Sequence, residues 1–93
     1  MDTWNKLSKP AKIVMVELLR YIDVGRVDLN NLRMSANLRD FTGVQILMKW
    51  RELADRGFGE IETSSRSNPV FKIDQDSANE LADIPEEQVP KHL

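Results

Sequence analysis

Residues 41 to 58, Phe41-Thr42-Gly43-Val44-Gln45-Ile46-Leu47-Met48-Lys49-Trp50-Arg51-Glu52-Leu53-Ala54-Asp55-Arg56-Gly57-Phe58, constrain the fold more than any other part of this chain. Thr42 and Gln45 have capping-box spacing: the Thr hydroxyl accepts from the Gln45 amide, and the Gln side chain reaches back to the Thr42 amide. Ile46, Leu47, Trp50, Leu53 and Ala54 then recur at helical spacing and form an apolar stripe. Arg56-Gly57 ends the helix. Gly59 to Thr63 alternate like a strand, with Phe58, Ile61 and Thr63 as its apolar and β-branched members. Ser64 to Pro69 is a loop of turn formers, and Val70-Phe71-Lys72-Ile73 returns as a second strand. A strong helix that runs straight into a hairpin sets the second half of the domain.

The first half is helical. Ser8 is placed to cap a helix with Pro10 in its first turn, where the missing N–H is no loss. Ala11, Val14, Met15, Leu18 and Ile22 share a face, widened by Ile13, Leu19 and Tyr21, and Gly25 is a terminator. Lys12, Glu17, Arg20 and Asp23 fall on the complement and are expected to be a wet face. Arg26-Val27 is a short extended piece, and Asp28 looks like an N-cap for a short helix carrying Leu29, Leu32 and Ala36. Asn37 and Asp40 mark a turn, with Leu38 and Phe41 as inward anchors. Near the end, residues 77 to 83 carry a weak helical signal closed by Pro85, and residues 86 to 93 are expected to stay mobile.

The length of 93 residues allows one domain. The absence of cysteine excludes disulfides and thiolate metal sites and fits a reducing compartment. The longest apolar run, Ile13 to Val16, is far short of the roughly 20 residues a membrane span needs, and the N-terminus has no signal-peptide core. A cytoplasmic protein with no membrane association is expected. Net charge is −2, but it is unevenly spread. Residues 1 to 73 hold twelve Lys or Arg against nine Asp or Glu, or +3, while residues 74 to 93 hold one against six, or −5. A mildly basic body with an acidic tail is compatible with a nucleic-acid partner.

Catalysis finds little support. His92, the only histidine, lies in the tail, so neither a histidine metal site nor a His-based triad can be assembled. Asp23, Asp28 and Asp40 are better read as caps and turns than as paired catalytic carboxylates. The four glycines, 25, 43, 57 and 59, sit at element ends and form no phosphate loop. No enzyme activity, cofactor or metal is expected.

The pattern Leu29-x-x-Leu32, Phe41-Thr42-x-Val44, Leu47, Leu53, Arg56-Gly57-Phe58 and the hairpin resembles the winged helix-turn-helix superfamily of small bacterial, archaeal and viral regulators. The resemblance covers roughly residues 10 to 73. It implies an α+β, mainly α fold: a three-helix core with a C-terminal β-hairpin wing, within a domain of residues 1 to 75 (core 8 to 73) followed by an acidic tail of 76 to 93. It also implies that residues 42 to 56 are a recognition helix entering the major groove, with the loop of residues 64 to 69 as the wing.

On that basis the expected function is sequence-specific binding of double-stranded DNA by a small transcriptional regulator. Gln45 and Lys49 are the base-edge candidates, because Gln pairs bidentately with adenine and Lys donates to guanine. The alternative for each is a capping glutamine and a solvated lysine. Gln45, Lys49, Glu52 and Arg56 recur at spacings of four, three and four and are expected to line one outward face. Arg39, Thr42, Arg51 and Arg66 are the candidates for backbone contact, and Ser64, Ser65, Ser67 and Asn68 offer neutral phosphate donors or merely a turn. Glu52 and Asp55 would repel phosphates if they faced the duplex. Trp50 is expected in the core. Trp4 either packs or anchors a partner. With few cations a homodimer is expected, through the first helix, the Trp4 arm or the segment around Leu81. The rival reading is a winged-helix protein-interaction module in a transcription, replication or phage assembly complex.

Overall fold

The computed structural model describes residues 2–63 and 67–81. Arg66, Ser64, Ser65 and the tail from residue 82, with His92 and Pro85, lie outside the described residues. The architecture is α+β and mainly helical, with one small antiparallel sheet. The element order is α1 (Asp2–Asn5), α2 (Lys9–Leu18), β1 (Arg26–Asp28), α3 (Leu29–Arg33), α4 (Gly43–Asp55), β2 (Gly59–Glu62), β3 (Val70–Ile73) and α5 (Gln75–Leu81). Short 3₁₀ turns follow α2 at Leu19–Tyr21 and join α3 to α4 at Ala36–Leu38. No helix among the described residues is long and apolar enough to cross a membrane.

Local chemistry sets most of the helix ends. Ser8 is extended and its hydroxyl accepts from the Ala11 amide, so α2 starts one residue before Pro10, whose missing N–H falls among the unpaired donors of the first turn. At the end of α4 the Phe58 amide donates to Leu53 and the Gly57 amide to Ala54, both at 3.0 Å. That is the Schellman pattern, and it requires the left-handed backbone that Gly57 adopts at φ 86°. The chain leaves α4 at once into β2, with Phe58 buried behind it.

The sheet has the order β1-β3-β2, so β3 is the central strand. Gly59 faces Ile73 and Ile61 faces Phe71 across the β2–β3 hairpin, while Val27 faces Phe71 from the other edge. Phe71 is fully buried and meets Trp50 of α4 with ring centroids 5.5 Å apart. The single core gathers Val14, Met15 and Leu18 of α2, Leu32 of α3, Ile46, Trp50 and Leu53 of α4, and the sheet's inner face.

Two features depart from the sequence expectations, and a third decides between the two readings of Trp4. Glu17 is not on a wet face: it is 2% exposed, and its carboxylate accepts from the Ser35 hydroxyl and the Asn37 side-chain amide, each at 2.6 Å. Arg20 lies 3.3 Å away, so the buried charge has a partner and two donors. The connection after α3 folds over this part of α2 and covers the carboxylate, which helical periodicity cannot foretell. The last helix begins at Gln75, not at residue 77, because the Asp74 carboxylate accepts from the Ser77 amide and hydroxyl. It buries Ala78 and Leu81 in the core. Trp4 lies inside a short helix, 1% exposed, with the Lys12 ammonium 5.7 Å from its ring centroid. Trp4 and Leu81 line one small crevice beside Phe58, so neither presents a free surface.

Candidate functional site

Helix α4 is fixed on three sides. Its start is the expected capping box: the Gln45 amide donates to the Thr42 hydroxyl at 3.1 Å, and the Thr42 amide donates to the Gln45 side-chain oxygen at 2.8 Å. The amides of Gly43 and Val44, the first two of the helix, take no part in the box. Its inner face is Ile46, Trp50 and Leu53, all fully buried.

Its flank is tied to the start of α2. The Ser8 amide and hydroxyl donate to the two oxygens of the Glu52 carboxylate, each at 2.8 Å. A carboxylate at the N-terminus of a helix also complements the helix dipole. Lys49 is half-buried on the same flank, 3.7 Å from Glu52. Within the Gln45–Lys49–Glu52–Arg56 row, α2 therefore takes Glu52 and half-covers Lys49, while Gln45 and Arg56 remain exposed, and the partner of Glu52 lies 44 residues back in sequence. Glu52 does not confront an approaching duplex, because α2 occupies it.

The face that points fully outward is Val44, Met48, Arg51 and Asp55, also at spacings of four, three and four, opposite the buried stripe. Val44 is 70% exposed and Met48 57%. The sequence held this signal, since the row lies half a turn from the centre of Ile46, Trp50 and Leu53.

Cations gather around the first turn of α4. Arg39 is exposed in the turn that precedes it. Arg33, which no local motif marks, lies along that first turn. A Cβ at Gly43 would sit 3.4 Å from the Arg33 Cδ and from one of its terminal nitrogens. The helix dipole disfavours a cation there, so Arg33 adds to a positive potential that the fold does not neutralise. None of Arg33, Arg39 and Arg51 has an ion pair among the described residues. The exposed acids nearby are Asp40 before the helix and Asp55 at its last turn.

The hairpin loop is anchored at its far end. The Asn68 side chain donates to the Asp28 carboxylate at 3.0 Å and accepts from the Asn30 amide at 2.9 Å, while Leu29 donates to the Pro69 carbonyl. Asn68 is thus engaged in capping α3 together with Asp28, which accepts from the Asn31 amide. Of the sequence candidates, the structure brings Thr42, Arg39 and Arg51 to the outward side of α4 and its approach. Gln45 is exposed beside Thr42, and Lys49 is half-buried on the flank. No group of three His, Asp or Glu side chains converges as a metal site among the described residues.

Two carboxylates here respond to acid. Burial opposes ionisation of Glu52, but the Ser8 amide and hydroxyl and the Lys49 charge outweigh it and hold the carboxyl below its ordinary value. At Asp28 burial is likewise outweighed, by the Asn68 and Asn31 hydrogen bonds. A carboxyl depressed in the folded state stabilises it above the unfolded pKa, and the contribution is lost as pH falls through the folded value. Stability should therefore be flat near neutrality and decline once pH drops below the ordinary carboxylate range. Glu52→Gln should be less stable than wild type at pH 7, and the difference should be smaller at pH 3, by urea midpoints. A constant difference between the two pH values would mean that the Ser8–Glu52 tie carries no charge-dependent stability.

No protein-family model, curated protein or solved structure matches this chain.

Proposed function

We propose that this chain is a winged helix-turn-helix protein that binds double-stranded DNA, acting in the cytoplasm as a small transcriptional regulator. In this reading α3, the 3₁₀ turn and α4 are the helix-turn-helix, and the β2–β3 hairpin is the wing. The sheet order, with β1 against the central β3, suits that assignment. The observation that carries it is the uncovered outward face of α4 with Arg33, Arg39 and Arg51 around it, none of them paired to an acid among the described residues. Phosphates would meet these arginines, the Thr42 hydroxyl and the free amides of the first turn. Base contact falls to Gln45, exposed at the first turn, and Lys49 beside it, joined by Val44 and Met48 on the outward row.

The test is fluorescence anisotropy with a random-sequence duplex at 50 and 200 mM salt. Three phosphate contacts should weaken binding about 40-fold across that range. The variant Arg33→Ala/Arg39→Ala/Arg51→Ala should lose most of that slope with little change in melting temperature. Absence of binding at 50 mM salt would overturn the proposal. Three cations per protomer give modest affinity, so a homodimer is part of it, through a surface other than Trp4 or Leu81. The exposure of Val44 and Met48 favours one rival, a winged helix that docks an apolar segment of another protein.

A further inference from the structure

Val44 and Met48 are the two side chains on α4 whose exposure the fold does not explain. They lie one turn apart on the face opposite the core, and neither joins the apolar cluster. Valine is also a poorer helix former than the polar residues that normally fill such positions. Nothing among the described residues covers either side chain.

The surroundings say what chemistry would cover them. Arg33 and Arg39 stand at the first turn and Arg51 shares the row, none of them in an ion pair among the described residues, and they outnumber the exposed Asp40 and Asp55 nearby. An apolar pair framed by unneutralised cations suits a polyanion that carries small apolar groups between its charges. Duplex DNA has that composition: in the major groove the one apolar feature of a base edge is the 5-methyl group of thymine.

Resting on the DNA reading above, we infer that Val44 and Met48 recognise thymine methyl groups, making this a protein whose preferred sites are defined by thymine contact. Two residues four apart on a helix are about 6 Å apart along its axis, close to two base steps of about 3.4 Å each. With α4 lying along the groove, the two methyls belong to thymines about two steps apart. Arg51, one turn further on, reaches the flanking phosphate.

Uracil tests this directly, because it keeps the pairing edge of thymine and lacks only the methyl. The probes are a 24-base-pair duplex of mixed A·T sequence and the same duplex with every thymine replaced by uracil, both at 50 mM salt. Burial of one methyl-sized group is worth about fourfold in affinity, so wild type should prefer the thymine duplex by about 15-fold. In Val44→Ser/Met48→Ser the preference should fall to about one through loss of affinity for the thymine duplex, with the melting temperature unchanged. Equal wild-type affinity for the two duplexes would overturn the methyl readout while leaving salt-dependent DNA binding intact. So would a preference that survives in the double variant. Absence of binding to either duplex would overturn the DNA reading itself, and this inference with it.

Discussion

Trp50→Ala should lower stability by about 3–5 kcal/mol, the range for a large aromatic removed from a well-packed core. Trp50 is fully buried, and it joins α4 to the central strand through its tilted contact with Phe71. Neither partner can follow the vacated volume, because α4 is held by its capping box at one end and by the Gly57 turn at the other. For a domain of 93 residues this loss corresponds to a melting temperature lower by roughly 15–30 °C. Trp50→Phe should be much milder. It keeps a ring against Phe71 and removes an indole N–H that finds no acceptor among the described residues. Thermal unfolding followed by circular dichroism separates the two. A loss below about 1.5 kcal/mol for the alanine variant would show that the helix–sheet contact tolerates a void there.

Gly59→Ala should cost about 2–3 kcal/mol, more than a typical surface change, although Gly59 lies outside any left-handed turn. Space is the cause. A Cβ there would lie 2.2 Å from the Lys72 carbonyl oxygen and 2.5 Å from the edge of the Phe71 ring. A carbonyl in a strand ladder has no rotamer to escape into, so the hairpin must open or Phe71 must turn. Phe71 is also the ring on which Trp50 rests, so Gly59→Ala combined with Trp50→Phe should deviate from additivity by at least about 0.5 kcal/mol. Urea midpoints of the single and double variants provide the check. Full additivity would mean that the strain relaxes into the hairpin without reaching the core.

Legibility followed the range of the interactions. Thr42 with Gln45, Ser8 with Ala11, Asp28 with Asn31 and the glycine stop at Gly57 are closed within a few residues, and each is written in local sequence. The two hairpin strands were also legible, β2 from Ile61 between Glu60 and Glu62 and β3 from its β-branched and aromatic Val70, Phe71 and Ile73. The central place of β3 was not, since it depends on Val27 crossing to Phe71 from the other half of the chain. The same distance hid Glu17, which is buried by the turn at Ser35 and Asn37, and turned Glu52 from an outward acid into the anchor of Ser8. For the candidate site the helix was legible and its rotation was not. Helical spacing gives the row Gln45, Lys49, Glu52 and Arg56, of which Gln45 and Arg56 are exposed while α2 takes Glu52, and Val44 and Met48 face directly away from the core.

The buried carboxylate of Glu17 divides the labour within the turn between α3 and α4. By holding Ser35 and Asn37 from α2, it makes the angle between those two helices a property of a third one. The residues that follow, Arg39 and Asp40, are exposed and carry none of that duty. Substitution at 39 and 40 can therefore retune the charge presented beside α4 without altering how α4 is aimed. A change at Glu17 would disturb the aim while leaving every outward-facing side chain in place.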